Sequence, residues 1–154
     1  TTEAAIIAAI VARMQRRMGT AFVPQQSVGI IVPYRHQIAA IRRAMEREGV
    51  TGAADITIDT VERYQGSQRD TIIYGFTVQR HAQLDFLTEH TFTEDGMTID
   101  RKLNVAMTRP REPLYLVGHA PLLAHIATFA ALIDFCRARH AFCRVTPAGF
   151  VACR

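Results

Sequence analysis

Val28-Gly29-Ile30-Ile31-Val32, closed by Pro33, is the stretch that decides the fold. A short run with no polar side chain on either alternating face reads as a strand buried on both sides, the signature of a parallel sheet. Pro33 has no N–H to offer a ladder and ends the run. Upstream, Ile6, Ile7, Ile10, Val11 and Met14 recur at helical spacing. Glu3 near the start and Arg13, Arg16 and Arg17 near the end complement a helix dipole, and Gly19 stops the pattern. Downstream, Ile38, Ile41 and Met45 point inward, with Arg42, Arg43, Glu46 and Arg47 outward, up to Gly49. Ile56-Thr57-Ile58, Thr71-Ile72-Ile73-Tyr74-Gly75-Phe76 and Leu114-Tyr115-Leu116-Val117 read as further strands, with a helical segment from about Asp100 to Thr108 before the last. Strands alternating with helices predict an α/β domain of three layers around a mainly parallel sheet.

Two regions lie outside that rhythm. Thr91-Phe92-Thr93 and Met97-Thr98-Ile99 flank Glu94-Asp95-Gly96, the pattern of an inserted β-hairpin or of an irregular surface loop. Beyond the last strand, Pro121 opens a helix whose Leu122, Leu123, Ile126, Phe129, Ala130 and Ile133 make one broad apolar face. In the tail, Cys143-Arg144-Val145 and Phe150-Val151-Ala152 flank the turn residues Thr146-Pro147-Ala148-Gly149.

The 154 residues predict one domain over 1–154, and 49% hydrophobic content excludes disorder. No apolar run approaches the ~20 residues of a membrane span, and the start has no signal-peptide pattern. Three cysteines, Cys136, Cys143 and Cys153, are too few and too local for a disulfide framework, which points to the cytoplasm. Cys136, His140, Cys143 and Cys153 match no zinc spacing, and Cys136 on the apolar stripe reads as core packing, so no metal site is expected. Lys102 is the single lysine beside 17 arginines, and no glycine loop precedes it. A Walker A loop and a G-x-G-x-x-G fingerprint are therefore both absent.

Ligands of open α/β sheets gather at the carboxyl ends of the strands. After the first strand, Pro33-Tyr34-Arg35-His36-Gln37 puts polar groups at a helix N-terminus, either as a phosphate site or as simple capping. After the second, residues from Asp59 to Asp70 form a dense polar loop around Gly66, with amides and hydroxyls but no nucleophile and base pair. It suits binding better than covalent chemistry. Arg101-Lys102-Leu103-Asn104-Val105-Ala106-Met107-Thr108-Arg109 ends on a guanidinium stiffened by Pro110. Such a group can stabilise transition-state charge or merely complement the helix dipole.

The stretches Val28–Gln37, Thr57–Asp70 and Arg101–Arg109, in this order, resemble motifs IV, V and VI of superfamily 1 helicases, nearest to the branch of the nonsense-mediated-decay helicase. The resemblance covers roughly residues 28 to 119. It implies the second, C-terminal RecA-like motor domain of such a helicase, a P-loop NTPase-like fold lacking its own P-loop. ATP and Mg²⁺ would then sit between this domain and an N-terminal RecA-like domain carrying the Walker motifs, with single-stranded DNA or RNA running across both. Residue by residue, Arg109 matches the catalytic arginine finger on the γ-phosphate. Gln65 and Gly66 match the motif V loop that couples nucleotide to nucleic acid, and Gln68 the position near the ATP ribose, where the family often has Glu. Thr60 matches a hydroxyl near the nucleic-acid backbone, and Tyr34, Arg35 and Gln37 a loop on that same face. Pro110 and Pro113 replace small or flexible residues of the family pattern. The reading from another class is a non-catalytic α/β module that binds nucleic acid or a partner.

Overall fold

The computed structural model describes residues 2–61, 63–64, 68–85, 91–94, 97–100, 113–146 and 149–150, with the backbone alone over 91–94, 97–100, 146 and 149–150. The predicted helical segment around 100–108 lies outside the described residues. The chain divides into two compact units, Thr1–Thr77 with Arg101–Gly118 and Val78–Asp100 with His119–Arg154.

The first unit is built on β1 (Val28–Val32), every residue of which is buried. It pairs in parallel with β2 (Thr57–Thr60) on one side and β3 (Thr71–Gly75) on the other, and β3 pairs in parallel with β6 (Leu114–Val117). The resulting sheet has the order β2-β1-β3-β6. An α/β fold with a parallel sheet is what the apolar run at β1 predicts. The second strand starts one residue later than its sequence pattern indicates and extends to Thr60.

α1 (Thr2–Met18) and α3 (His36–Arg47) pack side by side over one face of this sheet. Ala4, Ile7, Ala8, Val11 and Ala12 form the buried stripe of α1, and Ile41, Ala44 and Met45 that of α3. They close on Val28, Ile30, Val32, Ile58 and Ile73, alternate residues that share a face of their strands. The alanines bring the helix backbone close to the sheet, so dispersion contacts add to the burial of the larger side chains. α3 ends in a left-handed turn: Gly49 has φ 71°, its N–H donates to Glu46 O, and the Val50 N–H reaches Met45 O at 3.0 Å. This pattern satisfies the last carbonyls of the helix and buries Val50. The connection is then tied down by side chains. Gln15 donates to Thr51 O and accepts from Thr51 N–H. Arg42, read from sequence as an outward residue, instead caps the carbonyls of Ala53, Ala54 and Ile56. Between Phe22 and β1 lies a four-residue helix, α2 (Pro24–Ser27), across which Ser27 Oγ accepts from the Val23 N–H.

In the second unit, β4 (Thr91–Glu94) and β5 (Met97–Asp100) pair antiparallel, the hairpin of the two readings left open by the sequence, and β7 (Val145–Thr146) pairs antiparallel with β8 (Gly149–Phe150). The single helix expected from Pro121 is two, α4 (Ala120–Leu123) and α5 (Ala127–Ala138). His119 Nδ1 accepts from the Leu122 N–H, the His125 and Ile126 N–H groups bond three residues back, and Ile126 turns extended. The tightened turn re-aims the chain without disturbing the spacing of apolar residues. Of the six predicted face residues, Leu123 and Phe129 are buried. Cys143 is disulfide-bonded, which runs against the reducing setting read from the cysteine count and removes it from any zinc set, while Cys136 is a half-buried free thiol. Among the described residues there is no group of three or more His, Cys, Asp or Glu side chains able to hold a metal, and no helix long and apolar enough to cross a membrane.

Glu3 is not the surface acid that a first-turn position implies. It is 6% exposed, its Oε2 accepts from the Thr77 N–H at 2.6 Å, and its Oε1 is buried with no hydrogen-bond partner among the described residues. Thr77, at φ 55°, holds an unusual left-handed conformation at the exit of β3. Burial pushes the Glu3 carboxyl up from 4.5 to about 7, against the lowering effect of the Thr77 N–H. A raised carboxyl favours the protonated fold. Its stabilisation is complete below about pH 4.5 and is lost as pH rises through 7, amounting to about 3 kcal/mol. Glu3→Gln keeps an acceptor for Thr77 and does not ionise. Denaturant unfolding should therefore show the variant more stable than the parent at pH 8, with the difference gone at pH 4. Parallel pH profiles would exclude the buried carboxyl as their cause.

Candidate nucleic-acid interface at the carboxyl edge of the sheet

Val32 and Thr60 are register partners, so β1 and β2 end side by side. The segments leaving the two strands therefore start from one edge. After β1 the chain turns into α3 through hydrogen bonds from Gln37 N–H to Tyr34 O and from Ile38 N–H to Arg35 O. Tyr34 is half-buried, Arg35 and His36 are exposed, and Gln37 is buried. The Tyr34 and His36 rings stack with centroids 5.5 Å apart and planes at 29°. Arg35 occupies the N-cap position of α3 and makes no side-chain capping bond there. At the end of β2, the N–H of the buried Thr60 donates to Asp59 Oδ1. The Thr60 carbonyl accepts from both Arg63 and Tyr64 N–H groups, which turns the chain sharply away from the strand. The structure thus brings Tyr34, Arg35, Gln37 and Thr60 to adjacent strand ends.

The loop beyond Thr60 is a crossover anchored on both sides. Tyr64 is buried against β1 at Gly29: a Cβ placed there would overlap the tyrosine hydroxyl and lie 2.7 Å from its Cζ and 3.0 Å from Arg69 Cγ. Glycine inside a strand of branched residues is the local signal for such close approach. On the far side, Arg69 Nη2 donates to Thr57 Oγ1 at 3.1 Å and Nη1 to Gln68 O at 2.8 Å. The Asp70 N–H then donates to Gln26 O, next to the start of β3. Gln68 therefore stands beside the amino ends of the strands, not with Thr60. Gln65 and Gly66, between the two anchors, lie outside the described residues, as does Arg109.

Residues 1–121 match a family model described as an AAA domain, AAA_12. The chain belongs to this AAA-domain family. It is 35% identical over 102 residues to the DNA polymerase alpha-associated DNA helicase A of Saccharomyces cerevisiae, covering 66% of this chain and 13% of that protein. It is 30% identical over 129 residues to the putative helicase mov-10-B.2 of Danio rerio, covering 81% and 12%. Helicase sen1 of Schizosaccharomyces pombe is 31% identical over 110 residues, covering 70% and 6%. These likenesses bear out the resemblance read from the motifs: this is a C-terminal helicase domain of the nonsense-mediated-decay-helicase-like branch, with the RecA-like α/β fold. The chain spans only a small part of each of these relatives.

Sequence reasoning passed over three features of this helicase domain: the His36 ring in the stack, the Tyr64 socket at Gly29, and Arg69 as the second anchor. The socket makes a direct prediction. Gly29→Ala should destabilise the domain by about 1–3 kcal/mol through overpacking. In a Tyr64→Ala background the same change should cost markedly less, because the overlap with the ring is gone and only the close approach of Arg69 Cγ remains. Additive costs in that double-mutant cycle would show that Tyr64 does not occupy the space at Gly29.

Proposed function

We propose that residues 1–154 act as one RecA-like domain, the C-terminal half of an ATP-dependent nucleic-acid helicase or translocase. The observation that carries this reading is the ordered set of motif-like segments from Val28 to Arg109, lying inside the region that matches the family. On this reading Tyr34, Arg35, Gln37 and Thr60 form part of the track for single-stranded DNA or RNA. Their adjacency at the carboxyl edge supports that assignment. Gln65 and Gly66 couple nucleotide to strand, Gln68 reaches the ribose, and Arg109 is the arginine finger. The donor set of this chain, guanidinium and amides, fits the outer side of a nucleotide site. Mg²⁺ ligands and the phosphate-holding lysine come from an N-terminal RecA-like domain of the full-length protein.

Bound ATP supplies the phosphoanhydride whose hydrolysis drives movement. A planar fork at Arg109 would meet charge that grows on the transferring phosphoryl group, and it needs no reorganisation if held rigidly. Pro110 directly after it restricts the backbone on that side. Such a group acts on the transition state, so in the full-length protein Arg109→Ala should lower kcat on the order of 10³- to 10⁵-fold with ATP affinity little changed. Arg109→Lys should not rescue, because one compact charge cannot replace the fork. Melting temperature should hold within the small effect of a helix-terminal charge. Near-normal turnover of Arg109→Ala, or its unfolding, would make Arg109 a structural residue.

A companion test uses the 154-residue chain alone. It should hydrolyse ATP no faster than buffer while binding single strands weakly, with an affinity that falls steeply as salt rises. Nucleic-acid-stimulated turnover by the chain alone, or tight salt-independent reading of one duplex sequence, would favour a different assignment.

A further inference from the structure

The aromatic pair at the carboxyl edge has a composition that phosphate binding does not require. His36 is exposed, yet its ring is held from two sides. It stacks on Tyr34, and its Nε2 lies 3.2 Å from Nε2 of the buried Gln37. With the Gln37 amide nitrogen donating, His36 Nε2 is the acceptor, which leaves the Nδ1–H as a further donor. An exposed side chain ordinarily ranges over several rotamers, and restraining it gives up that freedom. Restraint lowers the loss still to be met when a ligand binds. Arg35, between the two rings in sequence, is exposed beside them, and no acid occurs from Pro33 to Ile38.

A fixed ring with exposed surface next to an exposed guanidinium matches a ligand with an aromatic face and a negative charge attached to it. Phosphate alone would use the guanidinium and leave the rings unexplained. A duplex keeps its base faces stacked inside. An unstacked nucleotide offers both groups, and Thr60 at the adjacent strand end continues the polar edge.

We propose that the Tyr34–His36 pair is a stacking platform for one unstacked nucleobase of a single strand, with His36 the ring that meets the base and Gln37 the residue that positions it. This rests on the nucleic-acid reading of the same edge and adds a base contact to what was a backbone track. Every base has a π-face, so the platform would tolerate any sequence while distinguishing a strand with bases from one without.

The test compares the full-length protein and its variants on a twelve-nucleotide oligo-dT and on an abasic strand of equal length and charge. Oligo-dT stacks poorly on itself, so little unstacking confuses the comparison. His36→Ala should weaken oligo-dT binding by about 5- to 100-fold, the loss of one stacked base, and leave abasic binding unchanged. His36→Phe should restore the oligo-dT affinity. ATP affinity, measured without a strand, should be the same in all three proteins. An equal loss on both strands, a Phe variant as weak as the Ala variant, or a loss confined to ATP would overturn the platform. Failure of the unsubstituted protein to bind either strand would instead sink the nucleic-acid reading beneath it.

Discussion

Burial of β1 on both faces is the constraint from which the domain follows. A strand with no polar side chain needs cover on each side, and it needs ladder partners for every backbone group as well. β2 and β3 supply the partners, both in parallel, so connections must run from one end of the sheet back to the other. α3 makes one such return on the face it shares with α1. The loop after Thr60 makes the other with no described helix, held by Tyr64 and Arg69 where a helix would ordinarily lie. Because both returns start from neighbouring strand ends, the polar segments after β1 and β2 leave from one edge of the sheet.

The periodic features were legible in the sequence for the same reason they are stable. In β1, α1 and α3 the spacing of apolar residues is the spacing of buried positions, so reading one reads the other. Where geometry changes without changing that spacing, the reading fails. The break between α4 and α5 buries Leu123 and Phe129, which one continuous helix would set about 120° apart, and leaves the other four residues of the predicted face half-buried. Glu3 fits the dipole pattern of a first turn whether it is solvated or buried. Only its neighbour Thr77, remote in sequence, decides which. Arg42 likewise sits at an outward position by period, and its length lets it reach back to three carbonyls.

The candidate site shows a similar division. Tyr34, Arg35, Gln37 and Thr60 could be placed at one edge from strand order alone, since each closely follows or ends a strand. His36 was visible in the same segment, but a lone histidine at a helix start reads as a cap until a ring is seen against it. Gln68 marks the limit of motif spacing. Sequence gives its order after Gly66, and it does not say that the loop has by then returned to the amino ends of the strands. Gly29 was legible as part of a strand and not as a socket, because its occupant comes from another element.

The crossover from Thr60 to Asp70 has a mechanical consequence on the proposed reading. Its first anchor, Tyr64, is an aromatic ring seated where a strand lacks a side chain, and its second, Arg69, is a guanidinium on a hydroxyl of the neighbouring strand. Both side chains reach the same point of β1: a Cβ at Gly29 would overlap the Tyr64 hydroxyl and lie 3.0 Å from Arg69 Cγ. The two ends of the crossover are therefore fixed at one spot on the strand, and close packing there changes in steps and does not stretch. On the proposed reading, Gln65 and Gly66 belong to the chain between those two points, so a nucleotide that pulls on the pair pulls on β1, whose carboxyl end carries the proposed track.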